Sequence, residues 1–338
     1  MVTTTIPTRR PTVRVVGTGG TLASWGKPRT EFVEYGGAGR LDTADNVARI
    51  PEIKPYVNVK TETLALVGSG ISLQQWIQLA NRVNEIFKKE PSVAGVVVTH
   101  GTSVLEETAY WLHLTVKSAK PVVVTGTMRP PSAMGSEVDA NMFGAIILAA
   151  AKEARGKGTM VMLNDMIESA REVTKTNSYR THTFQSRELG ALGYLDSDFK
   201  AMFYRAPTRR HSARTEFDVS KLKELPLVDI IYSAAGQTDA VIRGLMAAKP
   251  KGIVVAGTGG GYAPGPTTDA MYEAAKKGIA VVACTRAGAG RVIRTSVMKE
   301  KGIIAGDNLH VQKARILLML ALTKTNDTEE IQRMFDEY

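Results

Sequence analysis

A single cysteine, Cys284, stands among the 338 residues, which excludes an internal disulfide and a cysteine-based zinc site. It ends the apolar run Ile279-Ala280-Val281-Val282-Ala283-Cys284, so the expected thiol is an inert core group. The five histidines lack the HExxH spacing, and no metal is expected. Long apolar runs are missing as well, none approaching the ~18 residues of a membrane span. The opening Met1-Val2-Thr3-Thr4-Thr5-Ile6-Pro7-Thr8-Arg9-Arg10-Pro11 is polar and lacks the apolar centre of a signal peptide. The expected compartment is the cytoplasm, or the periplasm if an export signal has been removed.

Nucleotide fingerprints are also lacking. Gly17-Thr18-Gly19-Gly20-Thr21-Leu22 starts like a dinucleotide loop but carries Leu22 at the third glycine position, and Gly257-Thr258-Gly259-Gly260-Gly261-Tyr262 breaks at Tyr262. Gly26-Lys27 is followed by Pro28 and is not a P-loop, so no cofactor is expected. The formal net charge is +10, yet the one basic cluster, Arg205, Arg209, Arg210, His211 and Arg214, has no interleaved aromatic residues. That cluster reads as solvated surface rather than a nucleic-acid site, and the positive balance suits small acidic substrates. No short-period repeat and no low-complexity tract is present.

What remains is an ordinary globular composition, 43% hydrophobic and 22% charged, in a chain long enough for two domains. Leu73, Trp76, Ile77, Ala80, Val83 and Phe87 recur at helical spacing behind Ser72, an expected N-cap. Strand-like Val93 to Thr99, a helix from Val104 to Ser118, strand-like Pro121 to Thr125, a helix from Asn141 to Ala154 and the strand Thr159 to Leu163 follow in turn. Such alternation predicts βαβ units and a parallel sheet. Periodicity weakens between Asn164 and Pro226, then resumes with strands at Val228 to Tyr232, Gly252 to Ala256 and Ile279 to Ala283 and a helix at Val311 to Thr323. The expected architecture is α/β, with a domain over 1–205, a linker over 206–226 and a second α/β domain over 227–338.

Two threonine boxes carry the chemistry. Thr18-Gly19-Gly20-Thr21-Leu22-Ala23 follows the apolar Val13 to Val16, and Thr99-His100-Gly101-Thr102 follows Val93 to Val98. Both positions lie at the carboxyl ends of expected parallel strands, where open α/β sheets bind ligands. Hydroxyls on glycine-rich backbone suit acyl transfer by a threonine nucleophile, with backbone N–H groups facing an oxyanion or a carboxylate.

Together with Val98-Thr99-His100-Gly101-Thr102, Glu106-Glu107-Thr108-Ala109-Tyr110, Met128-Arg129-Pro130, Val173-Thr174-Lys175-Thr176-Asn177 and Lys313-Ala314-Arg315-Ile316-Leu317-Leu318, the first box resembles the bacterial L-asparaginase/glutaminase family from Val13 to Tyr338. The resemblance implies a larger N-terminal and a smaller C-terminal α/β domain. It also implies a homotetramer with active sites at subunit interfaces. It makes Thr21 the primary nucleophile, Thr102 the second catalytic threonine, Lys175 the lysine beside it and Tyr35 the tyrosine of a mobile lid. Gly20, Ser69, Gly70, Gly101 and Ser103 would bind substrate, with Ser69 holding the carboxylate of the substrate. The implied activity is hydrolysis of the side-chain amide of an asparagine-like substrate, releasing ammonia.

Four positions depart from the family pattern. Ser103 replaces the aspartate after the second threonine, Gly70 the glutamine or glutamate after the serine, and Gly236 an asparagine. The glutamate expected beyond Thr285 has no counterpart in Arg286-Ala287-Gly288-Ala289-Gly290-Arg291-Val292-Ile293-Arg294. In the family these positions surround the substrate α-ammonium group. Their loss points to an alternative substrate, an acidic amide without a free α-amino group such as succinamate, or to a non-catalytic ligand-binding relative.

Overall fold

A computed structural model describes residues 9–67 and 70–338. The chain divides into two compact units, one running to Lys221 and the other from Leu222 to Tyr338.

The first unit holds strands β1 (Thr12–Gly19), β2 (Asn58–Val67), β3 (Val93–Thr99), β4 (Val122–Thr125), β5 (Thr159–Leu163), β6 (Met166–Ser169), β7 (Thr174–Lys175), β8 (Phe184–Gln185), β9 (Gly193–Leu195) and β10 (Ala201–Phe203). Its helices are α1 (Thr43–Ala48), α2 (Leu73–Lys89), α3 (Leu105–Thr115) and α4 (Val138–Ala150). The main sheet runs β10-β9-β6-β5-β4-β3-β1-β2. Its β2-β1-β3-β4-β5 part is parallel, and β6, β9 and β10 extend it antiparallel. Helices cover both faces, so the central strands read as unbroken valine runs; Val96, Val97 and Val98 are all fully buried. The edge strand β2 is only half-buried.

Local chemistry sets the helix ends. Ser72 caps α2 as expected: its side chain accepts from Gln75 N–H, while the Gln75 side chain accepts from Ser72 N–H. Helix α3 stops at Thr115 because Val116 is extended, three residues before the expected end. Helix α4 starts three residues earlier than expected, and extended Ala151 separates it from a 3₁₀ turn at Lys152–Ala154.

The stretch 206–221, expected within a linker, is packed. His211, Thr215, Phe217 and Val219 are buried, and Lys117 Nζ donates to Thr215 O at 2.8 Å and Oγ1 at 2.6 Å. Within the basic cluster Arg214 is exposed and Arg209 and Arg210 are half-buried, whereas His211 is buried. His211 lies against His113 with ring centroids 5.0 Å apart, and Arg205 is paired with Glu172.

The second unit contains β11 (Val228–Tyr232), α5 (Ala240–Ala247), β12 (Gly252–Gly257), α6 (Gly265–Lys276), β13 (Ala280–Thr285), α7 (Ser296–Glu300), β14 (Ile303–Ala305), α8 (Val311–Leu322) and α9 (Thr328–Glu337). Its four strands are parallel in the order β11-β12-β13-β14. Cys284 lies in β13, fully buried, and burial pushes its thiol up to about 12, the state of an unreactive core group. No described helix is long and apolar enough to cross a membrane.

Candidate active site

The order β2-β1-β3-β4-β5 reverses direction between β1 and β3, and the loops leaving those two strands open a crevice at their carboxyl ends. Both threonine boxes lie there. The chain leaves β1 through Gly20 into one 3₁₀ turn, Thr21–Ala23, and leaves β3 through His100 and Gly101 to Thr102. Thr18 Oγ1 donates to Thr99 O at 2.9 Å, tying the two strand ends together.

Gly20 sets how closely the loops approach. Its φ of 90° and ψ of −167° belong to a region that only glycine occupies comfortably. A Cβ there would sit 2.3 Å from Gly101 Cα and 2.4 Å from Gly101 N. The two loops are therefore in backbone contact, with Thr21 and Thr102 each one residue beyond it.

Each threonine has a side-chain partner. Thr21 Oγ1 lies 2.8 Å from Tyr35 OH, and Lys175 Nζ donates to Thr102 Oγ1 at 2.9 Å. Both threonines are buried. Lys175 comes from the β7–β8 hairpin, whose loop is shaped by Asn177. The Asn177 Oδ1 accepts from the N–H groups of Tyr179 (2.9 Å) and Arg180 (3.0 Å), and its N–H donates to Thr183 Oγ1 at 2.7 Å. The Thr174-Lys175-Thr176-Asn177 box is thus a hairpin that presents a lysine.

Burial lowers the Lys175 pKa from the ordinary lysine value, and the Glu106 charge opposes that shift. Glu106 is buried in the first turn of α3, four residues after Thr102.

Behind Thr102 runs a buried hydrogen-bond chain. A carbonyl can only accept, so His100 carries its proton on Nδ1 and donates to Gly101 O at 2.7 Å. Its Nε2 then accepts from Thr108 Oγ1 at 2.9 Å, and Thr108 Oγ1 accepts from Trp76 Nε1 at 2.8 Å. Burial pushes His100 down to about 4, with the bond to Gly101 opposing, so the imidazole is neutral near pH 7. With one ring nitrogen bonded to Gly101 and the other to Thr108, it shapes the loop.

Of the remaining expected site residues, Ser69 lies outside the described residues. Ser103 and Gly70 are exposed, and a Cβ at Gly70 would meet nothing within 4 Å. Gly236, Arg286, Arg291 and Arg294 belong to the second unit. There Arg291 Nε binds Asp307 Oδ1 at 2.5 Å, and Arg294 binds Glu329 at 2.9 and 2.7 Å. These two arginines already have carboxylate partners, which weakens them as receptors for an anionic substrate.

Both units of the chain resemble known proteins. Residues 12–209 match the family model "Asparaginase, N-terminal", and residues 227–335 match "Glutaminase/Asparaginase C-terminal domain". The chain is 45% identical to L-asparaginase 2 of Bacillus subtilis (strain 168), covering 97% of this chain and 87% of that protein. It is 39% identical to L-asparaginase 2 of Escherichia coli (strain K12), covering 97% and 93%. The crystal structure of "Probable Cytoplasmic L-asparaginase" from Campylobacter jejuni superposes with a TM-score of 0.93 at 39% identity, covering 97% of this chain and 100% of that one. With both family models matched and near-complete coverage of these relatives, the chain belongs to the asparaginase/glutaminase family.

Proposed function

We propose that this protein hydrolyses the side-chain amide of an asparagine-like substrate, releasing ammonia and the corresponding acid. The observation that carries this reading is the pairing of two buried threonine hydroxyls, one with Tyr35 and one with Lys175, on loops in backbone contact. Thr21 Oγ adds to the amide carbonyl carbon as its proton leaves through the hydrogen-bonded side chains. The C–N bond then breaks, the nitrogen takes up a proton and ammonia departs. Water attacks the acyl-threonine, yields the acid and restores the hydroxyl. A threonine hydroxyl needs a base; that role falls to Lys175, whose pKa burial lowers and which acts through Thr102, the hydroxyl it is bonded to. Backbone donors around Gly20 and Gly101 face the developing oxyanion, each donor worth ~3–4 kcal/mol.

A second reading concerns the substrate. Ser103 and Gly70 supply no charge where the family carries acidic or amide groups around the α-ammonium. Once a bound substrate covers these exposed positions, removing one partner of its ion pair costs ~2–5 kcal/mol, and the low end already exceeds tenfold in affinity. These two positions favour an amide without a free α-amino group, succinamate being the simplest. We further propose, on the family resemblance, a homotetramer with interface active sites in the cytoplasm or, behind an export signal, the periplasm.

The test is ammonia release from asparagine, glutamine and succinamate at matched concentrations. Release from any of them supports amide hydrolysis, and preference for succinamate supports the second reading. Strong preference for asparagine refutes that second reading. Thermal stabilisation by these amides without ammonia identifies a ligand-binding relative instead.

A further inference from the structure

The segment that carries Tyr35 is closed at its base by backbone hydrogen bonds. Trp25 N–H donates to Gly39 O (3.0 Å), Gly36 N–H to Trp25 O (3.1 Å) and Leu41 N–H to Ala23 O (2.9 Å). Its tip has no helix or strand; within it the Glu31 side chain accepts from Val33 and Glu34 N–H. The tip also rests on a second loop, residues 128–136, which follows β4 and leaves the sheet at the same edge as the threonine boxes.

Two hydrogen bonds and one cation–π contact join the two loops. Gly26 N–H donates to Ser132 Oγ at 2.9 Å, and Met134 N–H donates to Arg29 O at 2.8 Å. The Arg129 guanidinium lies 5.3 Å from the centre of the Phe32 ring, within cation–π range. The receiving loop is itself braced. Arg129 Nη1 donates to Gly135 O at 3.0 Å, Thr127 Oγ1 donates to Arg129 O at 2.8 Å, and Ala133 N–H donates to Pro130 O at 2.9 Å. Gly135 has φ +65°, and a Cβ there would lie 2.5 Å from Arg129 Nη1. A glycine is needed at this point both for the turn and to let the guanidinium reach Phe32.

We propose that residues 128–136 form the seat that holds the Tyr35 segment over Thr21, with Arg129 and Ser132 as positioning residues acting through Tyr35. This rests on the amide-hydrolysis reading for its kinetic consequence, though not for the contact itself. Loosening the seat lowers the fraction of molecules in which Tyr35 OH meets Thr21, so kcat and kcat/KM fall by the same factor. Loss of one exposed cation–π contact predicts a fall of about 2- to 5-fold.

The experiment combines amide hydrogen exchange at Met134 with turnover in full-length Arg129→Ala, Arg129→Lys, Ser132→Ala and Tyr35→Phe. We expect faster Met134 exchange and about 2- to 5-fold slower turnover in Arg129→Ala, recovery of both in Arg129→Lys, and unchanged thermal stability. In the Tyr35→Phe background, Arg129→Ala should add almost no further loss, since the residue it positions is already gone. Unchanged Met134 exchange in both Arg129→Ala and Ser132→Ala overturns the proposal, as does full additivity with Tyr35→Phe. A wild-type protein that releases no ammonia would sink the hydrolase reading alone, because the exchange experiment needs no turnover.

Discussion

Replacing Gly20 with alanine tests the geometry that brings the two threonine loops together. The backbone at Gly20 holds φ 90° and ψ −167°, a region that costs a residue with a side chain ~1–3 kcal/mol. The added methyl would lie 2.3 Å from Gly101 Cα and 2.9 Å from the His100 carbonyl carbon, whereas carbon atoms pack at about 3.5–4.0 Å. Both neighbours are backbone, so relief requires the loops to part by roughly 1 Å. A displacement of that size at reacting groups costs on the order of 100-fold in rate. Gly20→Ala should therefore lower ammonia release about 100-fold and lower stability by about 1–3 kcal/mol, read by steady-state kinetics and urea unfolding. Gly244→Ala is the control, because it lies in α5 with nothing within 4 Å of its Cβ position; it should leave activity unchanged. Turnover of Gly20→Ala within threefold of wild type would refute the reasoning.

Further outcomes follow from the same site. Burial holds Lys175 below the ordinary lysine range, and a base must first lose its proton. The pH profile of kcat/KM should therefore rise along a limb centred below about 10.4, and Lys175→Arg should abolish that limb with most of the activity. Thr108→Val leaves His100 Nε2 and Trp76 Nε1 without their shared partner. Urea unfolding should show a loss of ~1–3 kcal/mol. His100 stands at about 4 when folded against about 6.5 unfolded, so the unfolded chain binds the extra proton between those values. Its contribution is complete above pH 6.5 and is lost as pH falls towards 4. Over that interval wild type should lose about 3 kcal/mol more than His100→Gln in urea unfolding.

The valine runs of β1 and β3 and the glycine-threonine loops after them were legible because strands buried on both faces leave continuous apolar sequence. That legibility reached the crevice at the sheet edge, where both boxes stand. Strand β2 was not: Asn58 to Val67 is a half-buried edge whose Lys60, Thr61, Glu62 and Thr63 break any apolar run. Helix α9 was missed behind the leucine-rich α8, although Asp327 caps it, Glu329 and Glu330 fill its first turn, and Ile331, Met334 and Phe335 share its buried stripe. Residues 206–221 looked like a linker because Phe217 and Val219 are single apolar anchors in irregular chain, which no periodicity reveals. At the site, Lys175 could be found only through its box, since its two-residue strand carries no pattern of its own. The Trp76–Thr108–His100 chain spans α2, α3 and the β3 loop, and contacts between elements leave no trace in local spacing.

The most direct measurement of the central claim is ammonia release by Thr21→Ala and Thr102→Ala, each checked for a native unfolding transition. Residues that act as one catalytic unit lose nearly everything when either is removed, on the order of 10³-fold or more. The account predicts that outcome for both variants in folded protein. Substantial turnover by both would contradict it.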